Sequence, residues 1–415
     1  MFELGRVEEA SSDVRELRSG SPPWHVDQAP FPRTPILADT RCDVVVVGAG
    51  ITGSFVAEAL TRRGHSVVVV DKLMPGRGST AASTAMLQWE IDTSLSELSD
   101  MYGFEKAAGL YRRSFTAMTD LTAFVDALGA SCHFTPRSTL YLGSADTGLA
   151  GLSAEHALRE RAGLPGALLD RGALADTFRM IRPAALLSPG SAEADPLCLS
   201  LNLLRTALLH GAVLVEDEVV AYDWTEGSAA LTLASGPTIE AGHVVLATGY
   251  EMPDFLRSDN HRTVSSWCIA TCPQSPGALW HDRVLIWEAA TPYLYARTTD
   301  EGRIVLGGED DDTQDAAERE AATPAKVARL LSKMRELWPA ARYDVEYSWS
   351  AQFGETDDGL PLIGRVPGAP RMLAAYGYGG NGITYSFMAS RILSALVEGE
   401  DRAWFGDYAI DRTTP

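Results

Sequence analysis

Val44-Val45-Val46-Val47-Gly48-Ala49-Gly50-Ile51-Thr52-Gly53 is a run of valines feeding directly into a G-x-G-x-x-G turn. The valines read as a strand buried on both faces. Gly48 allows the tight turn, Gly50 lets backbone approach a pyrophosphate, and Gly53 lets the next helix lie close to the strand. A helix is expected over residues 51–63, with its positive N-terminal end aimed at that pyrophosphate, and Gly64 stops it. Residues 66–70 supply a second strand, followed by Asp71 and Lys72. An acid at that tip is placed to accept hydrogen bonds from a ribose 2′-hydroxyl. Strand, turn, helix, strand and acid in register mark a dinucleotide-binding βαβ unit.

Outward from this unit the pattern alternates between two kinds of structure. Residues 1–41 are rich in Ser, Pro and charge, and read as an extended arm over the surface. Apolar residues Leu110, Met118, Leu121, Phe124, Val125 and Leu128 follow helical spacing up to Gly129. A second helix is expected over residues 196–210, and residues 243–249 read as a third buried strand ending in Gly249. Residues 262–308 alternate apolar and polar, the signature of antiparallel sheet. Thr323 and Pro324 are expected to begin a helix whose Val327, Leu330, Leu331, Met334, Leu337 and Trp338 form one apolar stripe. A glycine-dense loop, residues 377–382, precedes a last helix over residues 383–397.

The fold class is therefore α/β: a discontinuous Rossmann-type domain (residues 42–90, 196–258 and 345–400) with an α+β antiparallel-sheet substrate domain (91–195 and 259–344). Residues 401–415 form a tail. A nicotinamide-binding Rossmann domain would run contiguously, so the interruption favours a flavoprotein.

Composition narrows the partners. The chain has 415 residues and a formal net charge of −20, which argues against nucleic acid or an anionic membrane surface. No stretch is apolar for long enough to span a bilayer. Residues 1–9 lack the basic and apolar regions of a signal peptide, so the expected location is cytoplasmic. The five cysteines are scattered without a C-x-x-C, and Cys268 and Cys272, about 13 Å apart on a strand, are too distant to pair. The eight histidines form no metal-binding spacing, so no metal site is expected.

Several blocks together resemble the FAD-dependent D-amino-acid oxidase superfamily, which includes glycine oxidase, sarcosine oxidase and γ-glutamylputrescine oxidoreductase. They are Gly48 to Gly53, Asp71, Gly78-Ser79-Thr80-Ala81-Ala82-Ser83-Thr84-Ala85-Met86, Ala247-Thr248-Gly249 and the pair Gly307-Gly308. Asp358-Gly359-Leu360-Pro361 and Gly379-Gly380-Asn381-Gly382-Ile383-Thr384 close the set. The Ser21-x-x-Trp24 arm is similar to the last-named branch. The resemblance implies non-covalent FAD, with Ser79 and Thr80 on the pyrophosphate side and Ser83, Thr84, Ala85 and Met86 beside the isoalloxazine. Val220 would meet the adenine through its backbone, and Thr248 and Gly249 would pass near the ADP half. Gly380, Asn381, Gly382, Ile383 and Thr384 begin the last helix, whose free N–H groups suit the flavin edge that becomes anionic on reduction. Ser350 and Ala351 stand where some relatives tether FAD through cysteine.

On the substrate side, Tyr293, Tyr295 and Arg297 share one strand face. Either they converge on a small polar substrate, or the tyrosines pack across strands with Arg297 at the rim. Glu309 stands where sarcosine-oxidase-like members carry a histidine, and is a candidate amine ligand. Phe353 stands where glycine-oxidase-like members carry the arginine that clamps an α-carboxylate; phenylalanine cannot do so. Hence either Arg297 replaces the clamp, as in a D-amino-acid or glycine-type oxidase, or the substrate is an amine without an adjacent carboxylate. No general base is assigned.

The resemblance implies hydride transfer from the carbon bearing nitrogen to flavin N5, hydrolysis of the imine, and reoxidation by O2 or another acceptor. Two other classes stay open: an NAD-dependent dehydrogenase, and a flavin-bound scaffold of low turnover.

Overall fold

The computed structural model describes residues 5–8, 18–25, 31–130, 132–256 and 258–414. Two sheets carry the chain, an α/β fold with mixed strand directions. In the first, Thr40–Val47 runs parallel to both Val67–Asp71 and Thr238–Leu246. Val213–Glu216 extends one side in parallel, and Ala369–Tyr376 also pairs in parallel with Thr238–Leu246. Helices Ile51–Arg62, Pro196–Leu209 and Gly382–Val397 cover one face, packing on Val44, Val46, Val67 and Val69. The other face buries Val45, Val47, Val68 and Val70. A strand flanked by apolar layers on both sides needs apolar residues at every position, hence the unbroken valines.

The second sheet is largely antiparallel, built around His261–Thr271, which pairs with Ile304–Asp311 and Val345–Thr356. Leu294–Thr298 adds to Ile304–Asp311, and Leu285–Ala289 joins Thr135–Gly143 in parallel. Helix Ala316–Leu337 lays Leu330, Met334 and Leu337 over it beside Trp267 and Ile269.

Four expectations change here. Val345–Thr356 lies in the second sheet rather than the dinucleotide unit, because its whole length pairs with His261–Thr271. Met86–Leu87 likewise pairs into that sheet, against residues 192–193. The helix expected from Thr323 begins at Ala316, capped by the Asp315 side chain on the Glu318 N–H, and Pro324 lies inside it. Proline leaves the Glu320 carbonyl without its helical donor, a loss that is tolerable because Glu320 is exposed to solvent. Finally, the described part of the tail, residues 401–414, packs onto the fold. Phe405, Tyr408 and Ile410 are buried, and Arg412 reaches both oxygens of Asp358.

The arm is partly outside the described residues. Of the rest, Gly5–Glu8 pairs with residues 221–224, and Arg18–Gly20 pairs with residues 349–351 in the second sheet. Trp24 is buried with Ala82, Cys268 and Trp349.

Candidate active site

The Gly48–Gly53 turn opens one end of a long cleft between the two sheets. A Cβ on Gly53 would stand 1.8 Å from the Gly48 carbonyl oxygen, and one on Gly48, at φ +107°, 2.3 Å from that of Ala247. Both positions exclude any side chain. Gly50 is different: its Cβ would meet only the Thr80 hydroxyl, at 3.1 Å, so its bareness serves the cleft rather than the packing. Thr80 Oγ1 accepts the Ile51 N–H at 2.9 Å and fixes the start of the helix. Asp71 accepts the N–H groups of Ala49 (2.6 Å) and Leu73 (2.8 Å), so the acid also ties the turn to the second strand. Burial raises its carboxyl above the ordinary value despite these two bonds. Each oxygen keeps lone-pair capacity for a ribose.

The cleft is lined further by Lys72, Ser79, Thr80, Ser83, Thr84 and Met86, by Thr248 and Gly249, and by Gly380, Gly382 and Ile383. Lys72 pairs with Glu251 at 2.6 Å. Ser79 Oγ is enclosed without a hydrogen-bond partner, which fits a group that brings its own acceptor, such as a phosphate. Asn381 and Thr384 act from behind: Asn381 Nδ2 donates to the Glu90 carbonyl and Asp92, and Thr384 Oγ1 to the Gln88 carbonyl. They hold the start of the last helix against the segment after Met86. Ala85 is buried at φ +51° and does not line the cleft. Val220 does not line it either. A bulge between Val219 and Ala221 leaves Val220 exposed and puts Val219 on the wall.

Trp24 bears on the same segment. Its Nε1–H donates to the Ser83 carbonyl at 2.8 Å, and Trp349 Nε1–H donates to that of Ala82 at 2.8 Å. Trp24→Phe keeps the ring and removes one bond to the cofactor-facing loop. Expected is an FAD dissociation constant weaker by about threefold to tenfold, measured by flavin fluorescence, with the far-UV spectrum unchanged.

Beyond the helix start the cleft ends in a cavity walled by Tyr250, Trp287, Tyr293, Tyr295 and Phe353, with Gln88, Gln352 and Asp92. The Tyr293 and Tyr295 rings are 5.7 Å apart, and the Tyr295 hydroxyl lies 3.2 Å from Ser266 Oγ. Arg297 is not with them. Two residues farther along the strand, it is buried beneath Trp24, 4.8 Å from that ring, and donates to the Ala194 carbonyl at 2.8 Å. Burial lowers its pKa to about 10, opposed by Glu193. It is committed elsewhere and does not line the cleft.

Glu309 is also displaced. It adopts φ +59° at a bulge opposite residues 265–267, which turns its carboxylate out to Arg329 (2.5 Å) and Lys333 (3.0 Å). The same bulge brings the next residue, Asp310, to the side of Ser266 and Tyr293. Neither Asp92 nor Asp310 carries a sequence signal. Asp92 is 288 residues from its partner Gly380, and Asp310 is hidden in an acidic run whose register the bulge decides.

Among the described residues no group of His, Cys, Asp or Glu is arranged to hold a metal, and no helix is long and apolar enough to cross a membrane.

The family model for FAD-dependent oxidoreductases, DAO, matches residues 43–396. The chain belongs to the DAO family. γ-Glutamylputrescine oxidoreductase of Escherichia coli K12 is 24% identical over 387 residues, 86% of this chain and 84% of its own length. Glycine oxidase of Bacillus licheniformis is 24% identical over 399 residues, 90% and 98% of the two chains. The glycine oxidase structure from Geobacillus kaustophilus superposes with a TM-score of 0.76 at 22% identity, over 90% of this chain and all of that one. The fold is thus that of DAO enzymes, and the chain is an FAD-dependent oxidoreductase.

Proposed function

We propose that this DAO-family protein binds FAD non-covalently and oxidises the C–N bond of an amine or N-substituted amino compound that lacks an adjacent carboxylate. The observation carrying this reading is the cleft's far end. Among the described residues lining the cleft, Lys72 is the lone Lys or Arg, and it sits at the Asp71 end, paired with Glu251. Phe353 lines the cavity, and Arg297 is held under Trp24. No guanidinium is left to meet a carboxylate.

FAD held by the Gly48–Gly53 turn, Asp71, Ser79 and Thr80 would supply a hydride acceptor for the carbon bearing nitrogen, and the imine so formed would be open to hydrolysis. The chain's own groups position and polarise. The first turn of Gly382–Val397 lies on the cleft wall through Gly382 and Ile383, so the positive dipole end of the helix favours negative charge there. Asn381 fixes that turn through Glu90 and Asp92. Tyr293, Tyr295 and Phe353 give a wall that orients the substrate, so that placement lowers the barrier without an assigned base. Cys268 lines the cleft, but burial pushes its thiol up to about 12 and its Sγ lies 3.3 Å from the Tyr295 hydroxyl. A protonated thiol is a poor nucleophile toward a flavin.

The test is direct. Purified protein is expected to be yellow, to release all its FAD on acid precipitation, and to bleach anaerobically with amines faster than with glycine or D-alanine. Colour retained in the pellet overturns the non-covalent part. Preferential bleaching by glycine or D-alanine overturns the substrate part, and its loss in Arg297→Ala would assign the clamp to Arg297. Admitting air to the bleached samples then separates O2 from another acceptor.

A further inference from the structure

Two of the cysteines meet where the two layers of the molecule join. Cys132 lies just before Thr135–Gly143 of the second sheet, and Cys198 is in the first turn of the helix Pro196–Leu209, which covers the first. Far apart in sequence, their sulfurs share one donor: Asn202 Nδ2 lies 3.4 Å from Cys132 Sγ and 3.3 Å from Cys198 Sγ. The backbone is fastened at the same place, because the Asp195 N–H donates to the Cys132 carbonyl at 2.8 Å. Cys132 and His133 are successive left-handed residues, at φ +38° and +52°. Neither is glycine, so their surroundings must hold them there. The Asp195 bond does so on one side, and Asp300, 2.7 Å from His133 Nδ1, on the other.

The two thiols differ in access and in acidity. Cys132 is buried, whereas Cys198 is only partly so. The contact between them lowers the pKa of Cys198, against burial and the Asp195 charge, and raises that of Cys132. His133 adds to the lowering, and a place in the first turn of a helix acts in the same direction. An accessible thiolate beside a shielded thiol is the arrangement of a reactive cysteine with its resolving partner. We propose that Cys132 and Cys198 form a reversible disulfide, made by a hydroperoxide, that fastens the second sheet to the helix layer of the first beside the cleft. Pro196, which opens the helix carrying Cys198, lines that cleft. With hydrogen peroxide, the Cys198 thiolate attacks one oxygen and the O–O bond breaks, leaving a sulfenic acid. The departing hydroxide takes up the proton that the Cys198 thiol had released. The Cys132 sulfur then attacks the Cys198 sulfur, the S–O bond breaks, and the oxygen leaves as water with the Cys132 proton. Two thiols together lose two electrons, and one peroxide becomes two waters. A dithiol reductant reverses the bond by exchange. None of this depends on the substrate that the cleft takes.

The test treats FAD-loaded protein with hydrogen peroxide, quenches with catalase, and maps the unreduced peptides by mass spectrometry. Expected is one cross-link, between the peptides holding Cys132 and Cys198, lighter by two hydrogens than the reduced pair and lost on adding dithiothreitol. The oxidised protein is expected to melt about 3–8 °C higher and to release FAD about threefold more slowly. Cys132→Ser removes the resolving thiol, so Cys198 is expected to stop at the sulfenic acid, which dimedone traps. Cys198→Ser is expected to leave Cys132 unmodified, because its thiol is buried. Both thiols left intact in the wild type, a cross-link between another pair, or Cys198 carried to sulfinic acid while Cys132 stays free overturns the proposal. That wild-type map decides the matter even where a serine variant fails to fold. A cross-link that changes neither melting nor FAD release overturns the fastening role.

Discussion

Gly53→Ala is expected to yield protein without FAD and with a folding stability lowered by about 3 kcal/mol, the upper end of what overpacking costs. The new methyl would lie 1.8 Å from the Gly48 carbonyl oxygen, which is backbone and cannot swing away as a side chain can. Helix and strand must separate, and that moves the turn whose backbone faces the cleft. Gly50→Ala is the matched control. Its methyl meets only Thr80 Oγ1 at 3.1 Å, so this variant is expected to melt close to wild type while losing FAD affinity. Thermal melting and bound-flavin absorbance measured on both variants separate packing from recognition. Equal melting of the two would refute the distinction.

The second large effect lies at the other end of the sequence. Arg412→Ala is expected to cost about 3–5 kcal/mol, because it strands a fully buried carboxylate. Asp358 receives Arg412 Nη2 at 2.8 Å and Nε at 3.1 Å, the Leu360 N–H at 3.1 Å and the Tyr102 hydroxyl at 2.7 Å. Burial alone would raise the Asp358 carboxyl, but the bonds and charge of Arg412, then Tyr102, more than reverse it and hold it below the ordinary carboxylate value. A carboxyl lowered in the folded state contributes stability above its unfolded pKa, and loses it as pH falls through the folded pKa. The deficit of Arg412→Ala in melting temperature is therefore expected to be full at neutral pH and to shrink below about pH 4. A deficit independent of pH would show that lost packing dominates.

Much of this architecture is legible in the sequence, and its gaps have physical causes. The valine runs at residues 44–47 and 67–70 announce parallel strands, since only a strand covered on both faces tolerates four consecutive apolar residues. The last helix is legible from the glycine-dense loop before it. The substrate end is not, because it depends on details finer than periodicity. One left-handed residue, Glu309, takes its own carboxylate away to Arg329 and Lys333. The strand runs Leu294–Thr298, so Tyr293 precedes it, and because a strand advances about 7 Å over two residues, Arg297 is carried past Tyr295 to Trp24. How arm and tail are anchored is not legible, because Trp24 and Arg412 bond to groups that no local pattern points to. Their partners, Ser83 and Asp358, are distant in sequence.

Strand order has a consequence for how the chain reaches this state. Thr238–Leu246 lies between Thr40–Val47 on one side and Ala369–Tyr376 on the other. The preceding strand Ala229–Leu233 covers the start of that second edge, but residues 244–246 stay open on it until more than a hundred further residues have left the ribosome, and an open apolar edge is a site for wrong pairing. The Gly48–Gly53 turn precedes the Gly379–Asn381 turn and the helix that complete the cleft by more than three hundred residues. Cofactor capture is thus expected to wait for segments far apart in synthesis, and to report that both sheets have closed on each other.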